Sequence, residues 1–375
     1  MIRFLTAGES HGEGLTGILE GFPANIYMDM EFINGELARR QKGYGRSDRM
    51  DIERDEAIIS SGINYGHTTG NPISIMIKNR GTDLDLVEVV RPRPGHGDLA
   101  GALKYGHEGG RNVLERASAR ETAMRVAIGA ICKLLLREFD IHIYSHVVQI
   151  GSIKTIGRPR GEMNWRELGE IADDSCIRVL DKEAEKSIVE ELDKAKEEGD
   201  TLGGVMEIVA SGIPVGLGSY SHWDRKLDGR IAQGIMSIPG IKGIEFGMGF
   251  DMAAEMGSDV HDEIFYKENS YYRGSNNAGG IEAGVSNGED IVFRAVMKPI
   301  PTLKRSLRTV DMRTKERALA QFERSDTCAV PSASIVAENV FAHILANELM
   351  IKFGGDSLGE MMGNYKSYME GLKKR

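Results

Sequence analysis

Apolar residues recur along the chain at two spacings, one typical of helices and the other of strands. The helical spacing predicts helices over Met30–Arg40, Glu121–Phe139, Glu183–Glu197, Arg225–Met236 and Ser334–Phe353. Strand-like runs are predicted over Ile2–Thr6, Ile73–Ile77, His142–Ile150, Val205–Ala210 and Ile291–Met297. Because the strands do not alternate strictly with the helices, the pattern favours the α+β class over a doubly wound parallel sheet.

Two stretches share a glycine pattern. Gly62–Ile73 and Gly280–Ile291 both read G-I-x-x-G-x-(T/S)-x-G-x-x-I, and each continues into a predicted strand. Gly21-Phe22-Pro23 and Gly212-Ile213-Pro214 form a weaker second pair in the same order. The ordered pairs predict an internally duplicated unit, although chance similarity in a glycine-rich chain is the alternative.

The expected organisation is a single domain over residues 1–375. It contains two pseudo-repeated halves, at about 1–150 and 195–310, and a C-terminal helical segment at about 331–375.

Composition narrows the class of protein. Hydrophobic residues make up 41% and charged residues 27% of the chain, which is typical of globular proteins. The net charge of −9 disfavours nucleic acid and anionic membranes as partners. The chain has no long apolar run and no signal-peptide pattern at its start, and its three cysteines are widely spaced, so a reduced cytoplasmic location is expected. The histidines show no metal-ligand spacing, and no metal site is predicted.

The segment Gly8–Gly12 matches G-x-S-x-G, the nucleophile elbow of α/β-hydrolases. The residues after it are poor helix formers, whereas an elbow needs a helix at that point. A cofactor or substrate loop is therefore the first interpretation. A structural turn and a serine hydrolase using Ser10 remain as alternatives.

Arginines are concentrated around a predicted helix start. Ser118-Ala119-Arg120-Glu121 has the spacing of a capping box, and helix N-termini attract anions. The nearby basic residues are Arg111, Arg116, Arg120 and Arg125, with two further basic loops at Arg39–Arg46 and Arg91–Gly97. Together these groups predict a phosphate or carboxylate site.

Two further residues are candidates for proton transfer. His107 lies in a loop just before the arginine-rich segment, and a histidine titrates close to neutral pH. Asp326 lies before the last long helix, where it is either a helix cap or a carboxylate base. Pro331 suits the first turn of that helix.

The motifs occur together in an order that resembles the chorismate synthase family. The resemblance rests on GESHG, KYGH–RNVLERASARETAMRVAIGA and RSDTCAVP, and extends through RPRPGHGDLAG, SNNAGGIEAGVSNGE and KPIPT over nearly the whole chain. It implies the conversion of 5-enolpyruvylshikimate 3-phosphate to chorismate and phosphate by a 1,4-anti elimination in the shikimate pathway. Reduced FMN is required in that family without net redox change. The implied fold has helices sandwiched between two antiparallel sheets, and the implied assembly is a homotetramer.

The resemblance also implies roles for individual residues. His11 would act on the departing phosphate, His107 at the N1–C2 carbonyl edge of the flavin, and Asp326 as the base that works with flavin N5, supported by Ser10 and Ser118. The implied FMN contacts are Arg116, Ala117, Ser118, Pro239, Gly240, Ala283, Lys298, Pro299, Ile300, Pro301, Thr302 and Arg324. Arg40, Arg46 and Arg120 would bind the substrate or NADP. Since the chain shows no separate reductase domain, an external flavin reductant is expected.

Overall fold

The computed structural model describes residues 1–45, 54–80, 87–155, 165–323 and 326–374. Within these ranges the helices are α1 (Met30–Gln41), α2 (Asp98–Tyr105), α3 (Arg111–Ala117), α4 (Thr122–Arg137), α5 (Trp165–Asp174), α6 (Lys182–Glu198), α7 (Leu227–Met236), α8 (Gly257–Val260), α9 (Val330–Phe353) and α10 (Leu358–Leu372).

The strands form two main antiparallel sheets and several small hairpins. They are β1 (Arg3–Gly8), β2 (Gly14–Glu20), β3 (Ile58–Ile59), β4 (Ile63–Asn64), β5 (His67–Thr68), β6 (Ile73–Lys78), β7 (His142–Ile150), β8 (Ile153–Lys154), β9 (Gly204–Ser211), β10 (Ile241–Phe246), β11 (Ile264–Lys267), β12 (Ser270–Arg273), β13 (Ile281–Glu282), β14 (Val285–Ser286), β15 (Ile291–Met297), β16 (Arg308–Val310) and β17 (Arg317–Leu319). The first sheet has the order β1-β2-β6-β3 and the second β10-β15-β9-β7-β8.

The α+β class predicted from the sequence is confirmed, and so are the predicted helices and strands. Strands β7 and β15 have the predicted ends, and the other elements differ by a few residues. Strand β6, predicted at Ile73–Ile77, shows why the strand pattern was informative, since every second residue of it is buried. The helix predicted from Arg225 begins at Leu227, because Trp223–Arg225 forms a separate 3₁₀ turn.

The capping box predicted at Ser118 is wrong. The Ser118 side chain accepts from the backbone N–H of Arg120 and caps a 3₁₀ turn, after which α4 begins at Thr122. The Glu121 carboxylate binds Nε of Arg125 at 2.9 Å and does not return to the cap. Pro331 does occupy the first turn of α9, as predicted.

Helices α4 and α9 form the centre of the core and pack against each other. Helix α4 also contacts β2 and β6 of the first sheet, and α9 contacts β7 and β9 of the second. Gly129 allows the close approach, because a Cβ there would lie 2.2 Å from the carbonyl oxygen of Asn339.

By length and apolar composition α9 could cross a membrane, but 78% of its most apolar window is buried inside the protein. Packing between the layers therefore accounts for its apolar residues.

Candidate active site

The turn between β1 and β2 places Ser10 and His11 against helix α3. Glu115 Oε2 accepts a hydrogen bond from Ser10 Oγ at 2.7 Å and from the His11 N–H at 2.8 Å. Its Oε1 lies 2.9 Å from Nδ1 of His11. Burial opposes ionisation of Glu115, but the hydrogen bonds from Ser10 and His11 prevail and lower the pKa of this carboxyl. The cluster is therefore a histidine held by a carboxylate.

The Ser10 contacts differ from those of a serine hydrolase. In a catalytic triad the histidine uses one ring nitrogen for the serine and the other for the acid. Here Ser10 Oγ lies 3.1 Å from Nδ1 of His11, the same nitrogen that faces Glu115, and Ser10 also contacts Glu115 directly. Strand β2 rather than a helix follows the turn. The arrangement lacks the geometry of a nucleophile elbow.

Asn79 joins the Ser10–His11 turn to Arg120. Its Nδ2 donates to the carbonyl oxygens of Glu9 and Gly12 at 2.9 and 2.7 Å, and its Oδ1 accepts from Nε of Arg120 at 2.8 Å. The side-chain amide therefore fixes one of the predicted substrate arginines relative to His11.

Arg40 and Arg120 lie on either side of the buried Asp55. Nη1 of Arg120 contacts Asp55 Oδ1 at 2.7 Å, and Nη1 of Arg40 lies 3.6 Å from Oδ2. Arg40 also donates to Thr122 Oγ1 and to the carbonyl oxygen of Ala119. The Asp55 carboxylate thus holds both of these predicted substrate arginines in one cluster.

Arg116 is bound by neutral groups. Its guanidinium donates to the carbonyl oxygens of Gly8 and Thr6 at 3.1 and 2.9 Å and to Thr6 Oγ1 at 2.8 Å. Ala117 is exposed and Ser118 is partly buried on the same short segment. Since the described residues give Arg116 no carboxylate partner, its charge is available to an anion.

The two basic loops and the rest of the arginine cluster are less available than the sequence analysis expected. Arg93 is held by Asp98 at 2.8 Å, and Arg125 is held by Glu121. Arg39 belongs to a buried ion network on α9, where its Nη1 lies 2.9 Å from Glu338. These arginines are neutralised by acids, which are close in the sequence for Arg93 and Arg125 and distant for Arg39.

Paired strands bring two predicted cofactor segments together. Pro239-Gly240 precedes β10 and Lys298–Thr302 follows β15, and the Lys298 N–H donates to the carbonyl oxygen of Gly240 at 3.0 Å. Lys298 Nζ contacts the carbonyl oxygen of Gly95. Burial, together with repulsion from Lys242, lowers the pKa of Lys298. Two neighbouring lysines thus favour an anion at this end of the second sheet.

Residues of the RPRPGHGD segment, 91–98, contact the same end of the second sheet. Nη1 of Arg93 donates to Thr302 Oγ1 at 2.9 Å, and His96 Nδ1 lies 2.6 Å from Asp98 Oδ1. Burial opposes ionisation of Asp98, yet contacts with His96 and Arg93 hold its pKa well below the usual value. Arg93 therefore positions the Lys298–Thr302 loop.

A dipeptide before β9 links that loop to the segment that contains Asp326. Thr201 Oγ1 donates to the carbonyl oxygen of Ile300 at 2.8 Å, and the Leu202 N–H donates to the carbonyl oxygen of Thr327 at 3.0 Å. Asp326 itself is partly buried. The N–H of Thr327, the residue after the predicted base, donates to the carbonyl oxygen of Gly45 at 2.8 Å.

His107 and Ala283 lie in two separate loops. His107 is partly buried between α2 and α3, with its ring stacked on Tyr105 at 6.1 Å. Ala283 is exposed in the β13–β14 turn, with a φ of 51° that glycine adopts more readily. Strand β15 begins after this turn and ends before Lys298. Ala283 and Lys298, both predicted FMN contacts, therefore lie at opposite ends of this strand. One chain does not bring them together.

Arg46 and Arg324 lie outside the described residues. Nevertheless, Gly45 contacts Thr327, and Glu323 lies 3.0 Å from Nη2 of Arg111. Since Arg111 Nη1 also lies 3.5 Å from Glu115, the segment before Arg324 reaches the His11 cluster.

A cavity of about 550 Å³ lies beside this region, between Tyr44, Cys176 and Thr327. Burial and the nearby Glu185 raise the pKa of the Cys176 thiol to about 12, so it is a poor nucleophile. The other two cysteines, Cys132 and Cys328, are buried thiols.

Sequence reasoning missed the residues that position the site. Glu115, Asp55, Asn79 and Thr201 each contact a predicted residue far away in the chain. Only Glu115 had a sequence signal, since it belongs to the segment that carries the family resemblance.

Comparisons with known proteins agree on one family. The chorismate synthase family model matches residues 2–350. Curated relatives named chorismate synthase include one from Alkaliphilus metalliredigens, 55% identical over 98% of this chain and 99% of its own length. Another, from Geobacter sulfurreducens, is 52% identical over 99% of each chain. A crystal structure of chorismate synthase superposes with a TM-score of 0.83 at 43% identity, covering 100% of this chain and 99% of the other.

Proposed function

The chain belongs to the chorismate synthase family, lyases that form chorismate in the shikimate pathway, and on that premise we propose the detailed reaction. The chain converts 5-enolpyruvylshikimate 3-phosphate to chorismate and phosphate by a 1,4-anti elimination. The reaction requires reduced FMN and has no net redox change.

Two sets of contacts between the segments that contain the predicted residues support this proposal. One runs from His11 through Glu115 and Arg111 to Glu323. The other joins Thr327 through Leu202 and Thr201 to Ile300. Motifs that are far apart in the sequence are thereby gathered at one place, as a site for several groups of one substrate requires.

The residues around Lys298 fit the anionic and carbonyl groups of FMN. Lys298 and Lys242 repel each other, so a phosphate or an anionic ring edge between them would relieve the repulsion. Pro239, Gly240 and Lys298–Thr302 would hold the cofactor together with Arg116, Ala117, Ser118 and Arg324, and His107 would balance its negative charge. When bound, reduced FMN supplies electron density to the substrate ring and recovers it.

The substrate carries two carboxylates and a phosphate, which need concentrated positive charge. Arg40 and Arg120, which both contact Asp55, are proposed to bind these groups with their guanidinium N–H donors. Arg46 is proposed to complete the set, for the substrate or for NADP.

Three residues are proposed to move or hold protons. His11 protonates or stabilises the departing phosphate, Asp326 accepts the proton from C6, and His107 balances negative charge on the cofactor. Ser10 and Ser118 support the hydrogen bonds. Each proton-transfer role is worth roughly 10²–10⁴ in rate.

Matching geometry in the two glycine-patterned stretches supports the proposed duplication. Thr68 Oγ1 donates to the carbonyl oxygen of Pro23 at 2.7 Å, and Ser286 Oγ donates to that of Pro214 at 2.7 Å. The two hairpin turns have similar positive φ angles at Tyr65 and Ala283. The strands of the two main sheets also follow the same order. In β1-β2-β6-β3 the first strand of the unit is followed by the second, the fourth and the third, and β7-β9-β15-β10 repeats this order in the second sheet.

The proposed copies are joined into one domain over residues 1–375. In this scheme β7 opens the second copy, so the boundary between the copies lies before His142 rather than at about residue 150. The second copy then runs through the expected 195–310 region, and the helical segment at about 331–375 follows. We propose that the helices lie sandwiched between the two sheets, since α4 contacts both of them.

The proposed assembly is a homotetramer in the cytoplasm, with an external flavin reductant. The outward face of the first sheet supports self-association, because Leu5 and Ile18 are exposed and directly paired across β1 and β2. The β11–β12 hairpin likewise exposes aromatic residues. A partner copy is also one way in which Ala283 could reach an FMN site.

An anaerobic assay tests the function. Purified protein, dithionite-reduced FMN and the substrate should release phosphate and form chorismate, and turnover should stop when the flavin is oxidised or omitted. His107→Ala and Asp326→Ala should each lower kcat at least about tenfold, whereas the exposed His222→Ala should not. Flavin-independent activity with fluorophosphonate labelling of Ser10 would instead indicate a hydrolase.

A further inference from the structure

We propose that Glu115 is a positioning residue, which holds the His11 ring in one tautomer with Nε2 free to face the substrate. This inference rests on the proposed function, in which His11 acts on the departing phosphate. In this proposal Glu115 contacts neither the substrate nor the cofactor.

The contacts of the carboxylate determine where the ring proton lies. An ionised carboxylate accepts hydrogen bonds and donates none. Both oxygens of Glu115 face Nδ1 of His11, at 2.9 and 3.1 Å. The lowered pKa of Glu115 keeps it ionised at neutral pH. Nδ1 therefore carries a proton, and Nε2 is the nitrogen left for chemistry.

The charged groups around Glu115 support its role as the ion-pair partner of His11. The Glu115 side chain is 8% exposed, and the charged groups near it are His11 and Arg111, with Glu323 on the far side of Arg111. When His11 binds a second proton at Nε2, its positive charge lies beside an ionised carboxylate. The same relation between a carboxylate and a histidine orients the imidazole in serine proteases.

Backbone contacts hold the Ser10–His11 turn independently of the Glu115 side chain, so a positioning role can be tested apart from a structural one. The Ser10 N–H donates to the carbonyl oxygen of Glu115 at 3.1 Å, a contact that does not involve the side chain. Asn79 also holds the turn from the other side. Removing the carboxylate charge should therefore leave the turn in place while changing the proton on the ring.

Glu115→Gln is the decisive variant. Its amide oxygen can still accept from Ser10 Oγ and the His11 N–H, but its NH₂ group would face Nδ1 and favour the opposite tautomer. We expect kcat to fall about tenfold or more, with a change of less than about threefold in the KM for 5-enolpyruvylshikimate 3-phosphate. Glu115→Asp, which keeps the charge, should recover part of kcat. The matched control is Glu348→Gln, a buried ion-paired carboxylate on α9.

A second readout does not depend on activity. With ¹⁵N-labelled histidine, and the His11 signals assigned from a His11→Ala variant, wild type should show neutral His11 protonated on Nδ1. Glu115→Gln should show it protonated on Nε2. An unchanged tautomer, or an unchanged kcat in folded Glu115→Gln, would overturn the proposal. If wild type fails to turn over substrate, the lyase assignment fails instead, while the spectrum still decides what Glu115 does.

Discussion

Asp55 binds Arg120 through a single guanidinium nitrogen, with Nη1 lying 2.7 Å from Oδ1 and 2.8 Å from Oδ2. Arg40 approaches the same carboxylate at 3.6 Å. All three side chains are shielded from solvent, so Asp55 fixes the spacing of the two arginines. Removing one partner of a buried ion pair leaves an uncompensated charge, which is costly.

Asp55→Ala should therefore lower the free energy of unfolding by about 3–5 kcal/mol. The KM for the substrate should also rise, because the two arginines are no longer held at a fixed separation. Urea denaturation and steady-state kinetics provide the two measurements. Asp224→Ala is the control, since its pairing with His222 is exposed to solvent and should contribute little to stability. Equal losses in the two variants would show that Asp55 is not a structural centre of the site.

His343 should make the fold sensitive to mild acid. Burial lowers the pKa of this histidine to about 4 from a reference value of 6.5. The unfolded chain binds the proton more readily than the folded chain, so stability is complete above pH 6.5 and falls as the pH decreases towards 4. A shift of this size corresponds to about 3 kcal/mol at the acid end.

The His343→Gln variant should flatten the dependence of unfolding free energy on pH between 4 and 6.5, relative to wild type. His222→Gln, at an exposed site, should leave the slope unchanged. Urea unfolding across this pH range provides the measurement, and parallel curves for wild type and His343→Gln would contradict the assignment.

Glu338 is the centre of a buried ion network. Its carboxylate lies 2.7 Å from Lys133 Nζ, 2.9 Å from Arg39 and 3.3 Å from Arg178. Burial opposes ionisation of Glu338, but the three cations prevail and lower its pKa strongly. Glu338→Gln should destabilise the protein by about 3–5 kcal/mol, measured by urea unfolding at pH 7.

The same network predicts a second acid transition. A lowered folded pKa means that the contribution of Glu338 is complete above the unfolded value near 4.5 and is lost as the pH falls below it. Glu338→Gln should therefore lose less stability than wild type on acidification below pH 4.5. If Glu338→Gln loses as much stability as wild type below pH 4.5, Glu338 is not the source of the acid sensitivity.

Two helical glycines should respond to alanine in opposite directions. At Gly129 a Cβ would lie 2.2 Å from the Asn339 carbonyl oxygen, so Gly129→Ala must push α4 and α9 apart. Overpacking of this kind costs typically about 1–3 kcal/mol. At Gly363 in α10, a Cβ would meet nothing within 4 Å, and Gly363→Ala should stabilise by about 0.5–1 kcal/mol. Thermal unfolding measures both, and destabilisation by both substitutions would contradict the packing argument.

Periodicity predicted the elements well because burial on one face determines both helices and strands in this chain. The ends of elements were less predictable where a local alternative competed, as at Ser118, whose spacing to Glu121 suits either an α-helix or a 3₁₀ turn. Arg125 then took the carboxylate that a capping box would have used.

Counting arginines predicted an anion site but not which arginines would be available. Arg93 and Arg39 are neutralised by acids, whereas Arg116 contacts only backbone carbonyls and a hydroxyl among the described residues. The partners of Arg120 and Lys133 lie 65 and 97 residues away. Such pairings depend on tertiary folding, and residue spacing alone contains no information about them.

The Thr201–Leu202 dipeptide has a consequence for engineering of the protein. Surface connections normally tolerate inserted sequence or new chain ends. The link between α6 and β9 should not, because its side chain and backbone fasten the Ile300 loop and the Thr327 segment to each other. Epitope tags, inserted domains and circularly permuted termini should disable the enzyme there without unfolding it.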